Sequence, residues 1–121
     1  MTRRSEHLAS DLDSAIRAVL SRGLGDPRIR GLITVMETKL SPDSKSLTVL
    51  VSILPEEHEE LTMHGLRAAA AHVRRQASER VRMRVMPEII FKLDKSLKRQ
   101  AKVLEALAKN RPDQPNPGGK P

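Results

Sequence analysis

The number and placement of the arginines in this sequence indicate binding of an anionic ligand. Two arginines lie in the stretch G-D-P-R-I-R-G at residues 25–31, and others recur along the segment 59–84. A guanidinium group stays charged and presents a planar fork of donors that matches a phosphate, so clustered arginines favour binding of a polyanion. A single surface arginine is usually only solvated, so it is the number of arginines together that indicates phosphate binding. The candidate phosphate-binding residues are Arg3, Arg4, Arg28, Arg30, Arg67, Arg74, Arg75, Arg82 and Arg84.

Catalysis and metal binding have weaker support among the remaining polar residues. The histidines His7, His58, His64 and His72 include no pair at i, i+4, and H-E-E-L-T-M-H differs from the zinc motif H-E-x-x-H. The acids in E-E-H-E-E at 56–60 are typical of a solvated cap at the positive end of a helix, although carboxylates also suit a cation. The chain contains no cysteine. We therefore predict no enzyme activity, no catalytic residue, no metal site and no cofactor.

The charge of the chain is unevenly distributed. The net charge of +7 arises because residues 1–60 hold 8 Lys/Arg against 10 Asp/Glu, whereas residues 61–121 hold 14 against 5. Such asymmetry suggests a nucleic-acid or anionic-membrane partner, and the plainer alternative is a surface tuned for solubility. No apolar run approaches the roughly 18 residues of a spanning helix, and the N-terminus lacks a signal-peptide pattern. We predict a cytoplasmic protein with no membrane contact.

The apolar periodicity predicts one α+β domain over residues 1–109. Residues 110–121 hold four prolines and two glycines, and we predict a disordered tail there. The order of elements predicts a three-stranded sheet covered by helices on one face. The predicted helices span 5–24, 59–82 and 96–109, and the predicted strands span 32–40, 46–53 and 89–93.

Only one aromatic residue, Phe91, is present, and it lies on the predicted core face of the third strand. Stacking of unpaired bases on a sheet of aromatic rings is therefore excluded, and affinity for nucleic acid has to come from phosphate contacts and shape. The order of elements, with a basic second helix, suggests a type II KH-like domain, although the usual G-x-x-G loop is absent. The predicted basic face of that helix comprises Arg67, Ala71, Arg74, Ser78 and Arg82, with Arg75 at its border.

Four stretches, in this order and spacing, resemble the ribosome-binding factor A family over about residues 3–107. They are D-P-R-I-R-G-L-I-T-V, L-S-P-D-S-K-S-L-T-V-L-V-S-I-L, L-R-A-A-A-A-H-V-R-R and R-M-R-V-M-P-E-I-I-F-K-L-D-K-S. The resemblance implies a type II KH-like fold in which an Ala-x-Gly interhelical kink replaces the G-x-x-G loop. The kink would lie at Ala69, Ala70 and Ala71. Because Ala71 stands where the family usually has glycine, a helix that bends less or continues unbroken is expected.

The resemblance also implies a function. A member of this family would bind the immature small (30S) ribosomal subunit, assist late maturation and processing of 16S rRNA near its 5′ end, and dissociate before translation. It would act as a monomer, support growth in the cold and be released by an assembly GTPase. The alternatives are a basic module that docks an acidic protein surface, a nonspecific RNA binder and an rRNA-processing nuclease. The nuclease would need clustered acids for Mg²⁺, which this sequence lacks outside 56–60.

Overall fold

The computed structural model describes residues 3–109, with only the backbone described for residues 3–6 and Leu97. The predicted tail at 110–121 and the side chains of Arg3 and Arg4 therefore lie outside the described residues. The helices are α1 (Arg3–Ser21), α2 (Glu59–Ala68), α3 (Ala70–Ser78) and α4 (Ser96–Lys109), and a short 3-10 turn spans Glu56–His58. The strands are β1 (Leu32–Leu40), β2 (Ser46–Leu54) and β3 (Glu88–Leu93).

The three strands form one sheet in the order β1-β2-β3. β1 and β2 are antiparallel and pair Leu32 with Leu54 at one end, whereas β3 runs parallel to β2. The parallel pairing requires a crossover, which α2 and α3 supply. All three predicted strands are confirmed to within one residue at each end. The strands could be predicted because their apolar residues alternate with polar ones, and a two-residue period specifies which face of a strand is buried.

One face of the sheet forms the core of the domain. The inward side chains of β2 are Leu47, Val49, Val51 and Ile53, each at most 1% exposed. Helices α1, α2 and α3 cover this face, and Phe91 of β3 is buried beneath them. The opposite face carries the alternate residues of each strand and stays open within the described part of the chain. The predicted α+β architecture, a three-stranded sheet with helices on one face, is confirmed as a type II KH-like fold.

The predicted helix over 59–82 is wrong in two respects. It breaks at Ala69, whose φ of −90° and ψ of 1° separate α2 from α3, although the alanine at position 71 predicted a straighter helix. Intrinsic propensities differ by less than about 1 kcal/mol per residue, which tertiary packing of two separate helices overrides. The helix also ends at Ser78, where the Ser78 hydroxyl donates to the Arg75 carbonyl at 2.6 Å. Such local side-chain bonding competes with continuation of the helix.

Among the described side chains of helix α4, one lysine forms ion pairs with acids near the start of α2. Lys98 Nζ lies 3.3 Å from a carboxylate oxygen of Glu56 and also contacts Glu59, so two of the acids predicted as a solvated cap form ion pairs. Most other side chains of α4 are exposed, including Val103, Leu104 and Leu107. None of the helices between residues 3 and 109 has both the length and the apolar character needed to cross a bilayer.

Candidate nucleic-acid interface

The break between α2 and α3 forms one side of an open groove of about 880 Å³, here called the break groove. Three cationic side chains, Lys45, Arg67 and Arg74, line it together with the acids Asp43 and Glu88. Its apolar wall comprises Ala68, Ala70, Ala71, Met83, Val85, Met86 and Ile89. The small alanine side chains at the break leave room for a polymer backbone to approach the helices, and the cations at the rim suit phosphates.

Arg74 is held by the protein itself. Its Nη2 donates to the Met86 carbonyl oxygen at 2.7 Å, and its Nε lies 3.2 Å from the same oxygen and 3.1 Å from the Pro87 carbonyl oxygen. These bonds join α3 to the segment that leads into β3. Because its Nε and Nη2 are both engaged with backbone carbonyls, the structure assigns Arg74 a structural role beside its predicted role as a phosphate contact.

We expect Arg74→Gln to lower the free energy of unfolding by about 2 kcal/mol, because charge-assisted hydrogen bonds to two half-buried carbonyls are lost. The matched control is Arg75→Gln, since Arg75 is the exposed neighbour on the same helix. Arg75→Gln is expected to change the free energy of unfolding by no more than about 0.5 kcal/mol. Urea denaturation followed by circular dichroism measures both values. Equal stability of the two variants would show that the Arg74 contacts contribute nothing net.

The turn at Asp26–Arg30 presents two of the predicted arginines but also restrains one of them. The Asp26 carboxylate accepts hydrogen bonds from Arg28 Nη2 at 2.6 Å, from Arg28 Nε at 3.0 Å and from the Arg28 backbone N–H at 2.9 Å. These bonds lower the pKa of Asp26 to about 2. A phosphate that binds Arg28 must therefore compete with Asp26. Arg30 is exposed, and its Nε donates to the Pro27 carbonyl oxygen at 3.1 Å.

Two residues of α2 that the sequence analysis did not single out position this turn. Thr62 is completely buried; its hydroxyl accepts a hydrogen bond from the Arg30 N–H at 3.1 Å and donates to the Arg30 carbonyl at 2.9 Å. At Gly65, a Cβ would lie only 2.8 Å from Ile29 Cγ1, so the absence of a side chain allows the turn to pack against the helix. Thr62 and Gly65 are three residues apart and therefore share one helix face, and this spacing could have indicated that both contact the same segment.

The remaining predicted arginines lie apart from the break groove. Arg82 and Arg84 follow α3 in irregular backbone and line clefts beside α1, so Arg82 does not share a helix face with Arg67 as predicted. Arg75 is exposed on α3. The sequence analysis omitted two cations. Lys45 lines the break groove, and Arg80 lines a cleft beside α1. Sequence spacing alone gave no reason to place Lys45, on the turn between β1 and β2, opposite the helix break.

The cations of the described residues are arranged in a way that suits phosphate binding. Between residues 3 and 109, no three His, Asp or Glu side chains are grouped so that they would hold a metal ion. The cations are instead spread over the break groove, the Asp26–Arg30 turn and the clefts beside α1. This arrangement suits a ligand with many negative charges along an extended surface.

Known proteins share both the sequence and the fold. The model of the ribosome-binding factor A family matches residues 4–107. Ribosome-binding factor A of Koribacter versatilis is 40% identical over 103 residues, covering 84% of this chain and 83% of that protein. The homologue from Caldanaerobacter subterraneus is 35% identical over 108 residues and covers 88% of each chain.

Solved structures agree. The crystal structure of ribosome-binding factor A from Thermus thermophilus matches with a TM-score of 0.64 and 32% identity, covering 75% of this chain and 96% of that one. A homology model of the Thermus thermophilus protein, fitted into a cryo-EM map of its complex with the 30S subunit, matches with a TM-score of 0.58 and 31% identity, covering 73% and 96%. With both sequence and fold matched over most of its length, this chain belongs to the ribosome-binding factor A family.

Proposed function

We propose that this protein binds the immature small (30S) ribosomal subunit, assists late maturation and processing of 16S rRNA near its 5′ end, and dissociates before translation. Residues 1–109 form the RNA-binding domain. The protein acts as a monomer in the cytoplasm, supports growth in the cold and is released by an assembly GTPase.

One observation carries this proposal. The Thermus thermophilus relative, 31% identical to this chain, was fitted into a map of a 30S complex. The same fold in this chain supports binding to the same kind of particle.

The exposed cations give this binding a physical basis. Outside Arg28, which pairs with Asp26, the predicted arginines with described side chains form no ion pair within 4.0 Å with any other described side chain. Apart from Arg74, whose guanidinium binds backbone carbonyls, they are therefore ready to replace counterions on rRNA phosphates. If about four to six phosphates are neutralised, the slope of log affinity against log salt is expected to be roughly −3 to −5.

Co-sedimentation tests the proposal. Purified protein is centrifuged with immature small subunits, mature small subunits, large subunits and whole ribosomes, each at about 0.1 and about 0.5 M salt. We expect enrichment on small subunits, strongest on immature particles and lost at the higher salt. Treatment with ribonuclease, applied to the same complexes, is expected to release the protein because rRNA supplies the contacts.

Two outcomes would contradict the proposal in different ways. Equal, salt-sensitive binding to every RNA-containing particle would identify a nonspecific RNA binder. Binding that resists ribonuclease would identify a module that docks an acidic protein surface. Processing is measured separately, as the ratio of precursor to mature 16S rRNA in cells with and without the protein.

A further inference from the structure

The backbone between α3 and β3, residues 79–87 and here called the connecting segment, is irregular but firmly held. Val81 and Met86 are each 7% exposed, and Pro87 is fully buried. The Arg74 guanidinium binds the carbonyl oxygens of Met86 and Pro87. A segment anchored at both ends into the core presents its remaining side chains in a fixed arrangement, which lowers the entropic cost of binding a ligand.

Three arginines lie at every second position of the connecting segment, in the stretch R-V-R-M-R at 80–84. Arg80, Arg82 and Arg84 are exposed, whereas Val81 is buried and Met83 is half-buried. Burial of Val81 and partial burial of Met83 leave the three arginine side chains facing solvent, although the backbone turns at Arg80 and is not a strand.

The three arginines, here called the arginine row, run alongside α1. Arg80 and Arg82 line a cleft with Asp11 and Ser14, and Arg82 and Arg84 line the next cleft with Asp11 and His7. Among the described side chains of α1, Asp11 is the acid that lines both clefts. Among the residues whose side chains are described, none of the three arginines lies within 4.0 Å of a carboxylate oxygen.

We infer that the arginine row binds consecutive phosphates of a single RNA strand laid along the groove between α1 and the connecting segment. This inference rests on the proposed function and adds to it Arg80 and a geometry for contact. The row borders the break groove, because Met83 and Val85 line both surfaces, but none of the three arginines is among the residues that line the break groove. Each guanidinium contacts one phosphate, so the row recognises the backbone and not the base sequence.

The triple variant Arg80→Gln/Arg82→Gln/Arg84→Gln tests the row. Binding to immature small subunits is measured over a range of salt concentrations. We expect the slope of log affinity against log salt to be less steep by about 2 to 3, and affinity near 0.1 M salt to fall about 100-fold. All three side chains are exposed, so the thermal transition of the variant is expected to match that of the wild type.

The matched control removes the same charge elsewhere. Lys39→Gln/Lys92→Gln/Lys102→Gln neutralises three exposed lysines on the open sheet face and on α4. The salt slope of this control is expected to stay near that of the wild type. If both triple variants change the slope equally, or if the arginine variant binds like the wild type, the inference that the row binds RNA is overturned while the proposed function stands. If the wild-type protein does not bind small subunits, both proposals are overturned.

Discussion

Replacement of Gly31 by alanine is expected to lower the free energy of unfolding by about 3 kcal/mol, through left-handed backbone strain and overpacking. Gly31 has a φ of +81°, which an L-residue adopts only at a cost. A Cβ at this position would also collide with the carbonyl oxygen of Leu54, the residue that pairs with Leu32 at the start of the sheet. Backbone cannot move aside as a flexible side chain does, so either the turn at Asp26–Arg30 or the end of β2 has to shift.

Gly23 supplies the control for this prediction. Its φ of +83° is nearly the same, but apart from Gly23 and its two chain neighbours no described heavy atom lies within 4 Å of a Cβ built there. Gly23→Ala should therefore cost only the backbone strain, about 1 kcal/mol. Thermal and urea denaturation of both variants separates the two contributions. If Gly31→Ala is no more destabilising than Gly23→Ala, the contact with Leu54 has no energetic weight.

The strands were predictable from the sequence because their signals are local. In β2, Leu47, Val49, Val51 and Ile53 alternate with partly exposed residues, and a two-residue period identifies both the strand and its buried face. The proline at position 55 and the turn residues at 41–44 then set the ends. Phe91 was placed in the core for the same reason, and it is 2% exposed.

The features that could not be predicted depend on contacts between segments distant in sequence. By propensity alone an alanine-rich stretch predicts a continuous helix, and only the family resemblance implied a kink at Ala69 to Ala71. The break at Ala69 reflects packing of α2 and α3 against the sheet and α1. Similarly, nothing in the spacing of the arginines separates Arg74, which binds two backbone carbonyls, from the exposed Arg75 beside it. Charge identified the set of candidate residues, but only the fold distinguished the structural members from the exposed ones.

Charge reversal at the break groove is expected to weaken binding to the small subunit about as strongly as loss of the arginine row. In the double variant Lys45→Glu/Arg67→Glu, two exposed cations that line the groove from the β1–β2 turn and from α2 become acids. Loss of two charge-assisted contacts, at about 1.5 kcal/mol each, predicts roughly 100-fold weaker binding at low salt. Arg74 is left intact because its replacement would change stability as well as charge. Affinity is measured by titrating labelled protein with immature small subunits.

The control for the break groove reverses the same number of charges on the open face of the sheet. Lys39 pairs with Thr48 and Lys92 with Leu50, and these partners alternate with the buried residues of β2, so both lysines point away from the helices. If long-range electrostatics alone governed binding, Lys39→Glu/Lys92→Glu and the groove variant would lose similar affinity for the small subunit, and salt would screen both losses. Direct contact predicts that only the groove variant loses most of its affinity. Equal losses would therefore place the RNA elsewhere on the protein, even if the small subunit is its partner.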